Sequence, residues 1–308
     1  MINLYSRKKR KRKLLFYLFV GLLLFFLYSK FTAITKSSEL ISPLPASGKH
    51  EVQSEGELGK IIQTVLEGST GIYGIAIKNL KTNETYFQNE HKIFDSGSLY
   101  KIWVMAETLN QIKSGELKID QVLSRDIKYL NEKFNVSPEY AELTEGSITL
   151  TVENALKQMI TISHNYAALL LTEKVKLSSV TSFLQINGFK DSQVGTDYDS
   201  PKATPNDIAL FFEKLYKGEL ADTEYTNKML ELLKMQKLNG KIPKNLPEGT
   251  IIAHKTGEIF YLTHDGGIVY TPKGDYIIVV MSDSDSPKGA EERIAKISEA
   301  VYKYFTSK

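Results

Sequence analysis

Three short strings hold residue types that can do chemistry together: Ser98-Leu99-Tyr100-Lys101, Ser163-His164-Asn165 and Lys255-Thr256-Gly257. Ser98 and Lys101 are three apart, so on a helix they share a face within hydrogen-bonding range. A serine hydroxyl is a poor nucleophile until a base takes its proton. Lysine can be that base when burial and nearby positive charge depress its pKa. Trp103 and the apolar positions around it offer such burial. Ser98 sits where a helix N-cap would, and a helix N-terminus favours negative charge developing there. The Ser98 backbone N–H can also serve an oxyanion.

Ser163 and Asn165 are two apart, which on a loop or strand points both side chains the same way. A second hydroxyl there can relay a proton from the nucleophile to a leaving nitrogen. The carboxamide can hold a substrate amide by donating and accepting at once. Lys255-Thr256-Gly257 ends an apolar strand, Ile251–Ala253, so a cation and a hydroxyl facing one cleft make a carboxylate site. Gly257 lets a substrate backbone approach closely. Next in line, the backbone N–H of Glu258 supplies a second oxyanion donor. Each string alone has an ordinary reading: a capping serine with a solvated lysine, a helix cap, an edge-strand lysine before a bend. Ser6-Arg7-Lys8-Lys9, in a basic tail, also fits Ser-x-x-Lys and carries nothing. What joins the three strings into one acyl-transfer site is their order along the chain.

At 308 residues, with 42% hydrophobic and 24% charged residues, the chain can bury a full core, and wholesale disorder is excluded. The absence of cysteine removes disulfides, thiolate metal sites and a cysteine nucleophile. The net charge of +3 is unevenly placed: residues 1–50 hold ten Lys/Arg and one Glu, about +9, leaving about −6 for the rest. The body is mildly acidic, which argues against nucleic acid as a partner. Seven basic residues, Arg7–Lys13, precede fifteen uninterrupted apolar ones, Leu14–Tyr28, and Lys30 can snorkel to extend the span to Ile34. The positive-inside rule keeps the basic tail in the cytoplasm and sends the body outside. No small-x-small cleavage site follows, so the expectation is a retained anchor, not a signal peptide. The expected organisation is a basic tail at 1–13, a transmembrane anchor at 14–34, a tether at 35–57 and a catalytic body at 58–308. That body would be a monomer in the cell membrane, facing outward.

The elements that must position the strings follow from periodicity. A short helix is predicted at Leu58–Glu67, then strands at Ile72–Asn79 and Glu84–Gln88 joined across Lys81-Thr82-Asn83. From Leu99 the pattern turns helical, with further helices at Thr151–Ile160, Tyr166–Lys174, Val180–Asn187, Pro205–Tyr216 and Thr223–Leu233. Strands return at Ile251–Lys255, Gly266–Tyr270 and Tyr276–Ser282, and a helix at Pro287–Phe305 closes the chain. Strands at both ends of the body form one sheet if the helical run is an insertion. The fold class is therefore α/β plus all-α: segments 58–95 and 251–308 form the α/β part, 96–250 the helical part, and the site lies between them.

Other candidates are weaker. His91, His254 and His264 lack ligand-like spacing, so no metal or cofactor is expected. His264-Asp265 precedes a strand and reads as a structural brace. Asn83-Glu84-Thr85 and Asn135-Val136-Ser137 match a glycosylation pattern that arises readily by chance.

With these residues in hand, the chain resembles the class A β-lactamases and the related penicillin-binding serine peptidases, a group marked by this trio of motifs. The likeness spans roughly Leu58 to Lys308. It implies the β-lactamase/transpeptidase-like fold, an antiparallel sheet flanked by helices with an inserted helical domain. It implies Ser98 as nucleophile, Lys101 as its base partner and Ser163 as proton shuttle. Asn165 would hold the acyl amide, Lys255 and Thr256 the substrate carboxylate, and the N–H groups of Ser98 and Glu258 the oxyanion. Two departures stand out. The middle residue of the second motif is usually Asp, and here it is His164. Class A enzymes also carry a glutamate, in the loop corresponding to 187–205, that activates the deacylating water. This segment has only Asp191, Asp197 and Asp199. The resemblance implies a serine hydrolase that opens β-lactams; with the anchor read above it would be membrane-tethered, and without the loop glutamate it would deacylate slowly. The alternatives are a D-alanyl-D-alanine peptidase of the cell wall and a non-catalytic sensor or wall-binding module.

Overall fold

The computed structural model describes residues 56–195 and 199–307, which fall in one compact unit. The basic tail, the anchor at 14–34, nearly all of the tether, and Asp197 lie outside the described residues. Among the described residues no helix is long and apolar enough to cross a membrane.

The chain runs α1 (Glu57–Leu66), β1 (Ile72–Asn79), β2 (Thr85–Gln88), β3 (Phe94–Asp95), a 3-10 turn (Gly97–Tyr100), α2 (Lys101–Ser114), β4 (Val122–Asp126), α3 (Ile127–Lys133), β5 (Ser147–Thr151), α4 (Val152–Thr161), α5 (Asn165–Val175) and α6 (Leu177–Ile186). It continues through β6 (Lys202–Ala203), α7 (Pro205–Tyr216), α8 (Thr223–Lys234), β7 (Ile252–Ile259), β8 (Leu262–Val269), β9 (Tyr276–Asp283) and α9 (Pro287–Ser307). The main sheet has the order β2-β1-β9-β8-β7, and every neighbouring pair is antiparallel. Strands from the two ends of the body thus share one sheet, as their separation in sequence requires.

Both faces of that sheet are buried, which is why β9 reads as an unbroken apolar run. Along β9, Tyr276, Ile278 and Val280 pack with Ile62 of α1 and Ile294, Ile297 and Val301 of α9. The alternate residues Ile277, Val279 and Met281 join the large cluster built from α2, α4, α5, α7 and α8. Period-two alternation in one strand therefore ties two cores together. Two helices of the second core start at side-chain caps: Thr151 Oγ1 accepts from Asn154 N (3.2 Å), and Thr204 Oγ1 from Asp207 N (3.2 Å) with Pro205 next in line.

Three expectations need correction. Ser98 is not an N-cap: it lies inside the 3-10 turn, and α2 begins at Lys101 without a side-chain cap. Lys255-Thr256-Gly257 does not end its strand, because β7 continues to Ile259 in an eight-residue ladder with β8. The hairpin β4–β5 and the short helix α3 went unread, because β4 buries only Leu123 and presents no apolar face to periodicity.

Candidate active site

The turn that carries Ser98 is held flush against β7 by two glycines. Gly97 has φ +50°, and a Cβ built there would come within 2.8 Å of Glu258 N. A Cβ on Gly257 would come within 2.7 Å of Ser96 O and 3.1 Å of Leu99 Cγ. Gly257 thus makes room for the Ser98 turn itself. The fully buried Leu99 anchors the turn from beneath. The result brings the Ser98 backbone alongside Glu258, as two oxyanion donors need. Gly97→Ala combines the near-contact with a left-handed backbone. It is expected to cost about 1–3 kcal/mol of stability, together with most of the reactivity of Ser98. Thermal melting beside the rate of Ser98 acylation checks this.

The polar centre is built on two buried lysines. Lys101 Nζ donates to Ser163 O (2.6 Å), to Asn165 Oδ1 (2.7 Å) and to Ser163 Oγ (3.2 Å). Lys255 Nζ donates to the same Ser163 Oγ (2.9 Å) and to Thr256 O (2.9 Å). Ser163 therefore bridges the two amines, and it does so from φ +58°, an uncommon backbone state for a non-glycine residue. Such strain is stored where the surroundings fix it, and here Lys101 grips both the Ser163 carbonyl and its hydroxyl.

Burial pushes the Lys101 amine well below the usual lysine range, and the charge of Lys255 adds to this, while Glu142 opposes it. Lys255 falls to about 7, chiefly through burial. Lys241 pushes it the same way, against Asp265 and Glu258. Burial disfavours the charged form of both amines, which suits the pair to take a proton and return it. The chemistry read from Ser98 and Lys101 alone thus has its electrostatic setting.

His164 takes the place of a capping carboxylate. Its Nδ1 accepts from Ala167 N (3.2 Å) and caps α5, which begins at Asn165. The imidazole thereby fixes the turn on which Ser163 and Asn165 sit.

The segment before α7 is stapled to the Ser98 turn. Phe94 and Asp95 pair with Ala203 and Lys202, and Ser96 N donates to Pro201 O (2.8 Å). Lys202 Nζ reaches both Asp95 (2.5 Å) and Asp199 (3.1 Å), and Ser200 Oγ also donates to Asp95. Asp191 pairs with His91 at the surface (2.9 Å). The two described aspartates of this loop therefore each have a cationic or imidazole partner. The cleft beside Ser98 measures about 820 Å³ and is lined by Ser98, Tyr100, Tyr140, Asn165, Asp199 and Glu258, among others.

Sequence reasoning missed three contributors. Lys241 is buried and pairs with the Glu258 carboxylate. Asp95 holds the loop, and Glu142 accepts from Asn165 Nδ2 (2.7 Å). None of these sits in a recognisable spacing. The histidines do structural work. His254 Nδ1 meets Asp265 Oδ1 (2.9 Å), and His264 links Asp95 O (2.9 Å) to Ser282 N (3.1 Å). Burial lowers His264 to about 4. An unfolded chain takes up that proton near pH 6.5, so stability is full above 6.5 and falls as pH drops toward 4. The loss is expected to reach about 3 kcal/mol. Urea titrations at pH 7 and pH 4.5 check it, and His264→Gln should flatten the difference.

Comparison with known proteins settles the kinship. A family described as the Beta-lactamase enzyme family matches residues 57–305. The chain belongs to that family. As a serine hydrolase of the β-lactamase type, it is 26% identical over 274 residues to Beta-lactamase VEB-1 of Pseudomonas aeruginosa, covering 80% of this chain and 90% of that one. The crystal structure of a β-lactamase from Sphaerobacter thermophilus superimposes with TM-score 0.71 at 25% identity, covering 82% and 97% of the two chains. The structure of PBP-A matches in fold with TM-score 0.72 at 22% identity, covering 82% and 96%. The β-lactamase/transpeptidase-like architecture, with helices flanking its sheet, is thereby shared with both solved chains.

Proposed function

We propose that this member of the β-lactamase family opens β-lactams through an acyl-enzyme on Ser98 and releases the product slowly. The observation that carries the reading is Ser163 Oγ, held between the amines of Lys101 and Lys255 at 3.2 and 2.9 Å. In the acylation step, neutral Lys101 takes the proton from Ser98 Oγ, and that oxygen bonds to the lactam carbonyl carbon. The carbonyl oxygen gathers negative charge, which the N–H groups of Ser98 and Glu258 receive. The C–N bond breaks as Ser163 passes its own proton to the leaving nitrogen, and Lys101 returns the proton it took to Ser163. The substrate carboxylate rests on Lys255 and Thr256, and Asn165 holds the acyl amide. A binding module would have no use for two buried lysines around one serine hydroxyl.

Release requires water to add to the Ser98 ester. A general base speeds such a step by roughly 10²–10⁴-fold. Of the three aspartates in the loop that supplies a glutamate in class A enzymes, the two among the described residues, Asp199 and Asp191, are already engaged by Lys202 and His91. That engagement is the basis for slow turnover, and it equally favours a second reading, a D-alanyl-D-alanine peptidase that β-lactams trap. Drug consumption measured against time separates them. One equivalent consumed rapidly, then continued slow loss, supports the β-lactamase. One equivalent followed by no further loss, with release of D-alanine from a D-alanyl-D-alanine peptide, supports the peptidase.

The basic run and apolar stretch at 7–34 support placement of the body outside the cytoplasmic membrane on an N-terminal anchor. Partition of the full chain into washed membranes, with protease sensitivity of the body from the outer side, tests that placement.

A further inference from the structure

The carboxamide of Asn165 is gripped at both ends. Its Oδ1 accepts from Lys101 Nζ at 2.7 Å, and its Nδ2 donates to Glu142 Oε1 at 2.7 Å. A carboxylate only accepts, so Glu142 fixes the end it holds as Nδ2 and leaves Oδ1 to the lysine. The amide carries a second Nδ2–H, and Asn165 lines the cleft beside Ser98.

The exposed Glu142 is held in place from the loop next to it. Leu143 N donates to Tyr166 Oη (3.1 Å), and Leu143 O accepts from Tyr166 Oη (2.6 Å) and from Asn131 Nδ2 (2.8 Å). Tyr166 is buried and directly follows Asn165. The loop is thus fastened one residue from Glu142, to a side chain one residue from Asn165. A surface carboxylate with a free loop behind it would cost ordering entropy at each contact, whereas this one is already ordered.

The arrangement matters because Lys101 changes charge during acylation. When it is neutral its hold on Oδ1 weakens, since a hydrogen bond from a charged donor is roughly twice as strong as a neutral one. The hold of Glu142 on Nδ2 does not depend on that proton.

We propose that Glu142 is a positioning residue for acylation, fixing the Asn165 carboxamide so that its second Nδ2–H stays presented to the acyl-amide carbonyl of the substrate. The proposal rests on the reading of Ser98 as the acylated nucleophile. The groups that face the Lys101 amine are Ser163, Lys255 of β7, Asn165 and, through Asn165, Glu142. Loss of the Glu142 charge therefore removes an influence that favours the protonated form of Lys101.

The test is single-turnover acylation of the full chain by benzylpenicillin across pH, read as Ser98 adduct by intact mass, for the native protein, Glu142→Ala and Glu142→Asp. Glu142→Ala is expected to lower the second-order acylation constant about tenfold through weaker binding, the loss of one charge-assisted hydrogen bond. Its acid limb should move to lower pH while the melting temperature stays within about 2 °C, as for an ordinary surface change. Glu142→Asp should bring the limb back. An alanine variant with native acylation and an unmoved limb overturns the proposal. So does a loss matched by a lower melting temperature with an unmoved limb, which would make Glu142 a fold determinant. If the native protein gives no Ser98 adduct, the Ser98 reading falls first and this proposal with it.

Discussion

Lys101→Ala is expected to slow acylation of Ser98 by about 10³-fold, within the range that a positioned general base supplies. The argument rests on how the amine is held. Lys101 is fully buried, its charged form is disfavoured by that burial and by Lys255, and its Nζ touches Ser163 and Asn165. A lysine whose charged form is disfavoured, and whose amine sits beside the Ser163 hydroxyl, is suited to accept a proton. Removal also strips donors from Ser163 O and Asn165 Oδ1, so some local loosening is expected alongside. The rate of adduct formation with benzylpenicillin checks the effect. Lys101→Arg separates the two contributions: it keeps a donor there but cannot act as a base, so it should be as slow as alanine. A fast arginine variant would show that Lys101 positions and does not accept the proton.

Lys255→Met is expected to stabilise the protein while removing its grip on the substrate carboxylate. Lys255 titrates near 7 in the folded chain against 10.5 when exposed, so the unfolded chain binds that proton more readily. Stability therefore declines as pH falls from 10.5 to 7 and levels off below 7. Relief from that burdened cation is worth about 3–5 kcal/mol below pH 7 and vanishes above pH 10.5. At two to four degrees per kcal/mol, the melting temperature should rise by roughly 10 °C at pH 6. Affinity for carboxylate-bearing substrates should fall at least tenfold, since one charge-assisted hydrogen bond is lost. Melting curves at pH 6 and pH 10, beside the concentration dependence of acylation, check both halves. A variant that melts no higher at pH 6 would mean that Lys255 is not held against its charge.

Much of this was legible in the sequence because the chemistry and the alternation share a period. The unbroken apolar run Tyr276–Met281 marked the central strand, read as Tyr276–Ser282, and the three strings gave Ser98, Lys101, Ser163, Asn165, Lys255 and Thr256. Ser163, Asn165, Lys255 and Lys101 do meet at one polar centre, as their order implied. What stayed hidden was polar or tertiary. The start of β8 is Leu262-Thr263-His264-Asp265-Gly266-Gly267, which no apolar pattern marks. Thr263–Gly267 are nevertheless buried, and Asp95 O, Ser282 N, His254 and Ile242 N satisfy the polar side chains of His264 and Asp265. Glu142 lies on a loop, where spacing says nothing about contact, and only folding brings it to Asn165. Gly257 was legible as a glycine that permits close approach, and the Ser98 turn, which no spacing pointed to, makes one such approach.

The central claim is that Ser98 forms the acyl-enzyme, with water poorly activated against it. Intact-protein mass spectrometry of the full chain in mild detergent, mixed with benzylpenicillin and followed from seconds to hours beside Ser98→Ala, tests this most directly. The expected result is one drug-sized adduct that forms quickly on the native chain, persists for minutes or longer, and never forms on the alanine variant. An adduct on both proteins, or on neither, would contradict the assignment of Ser98 as the nucleophile.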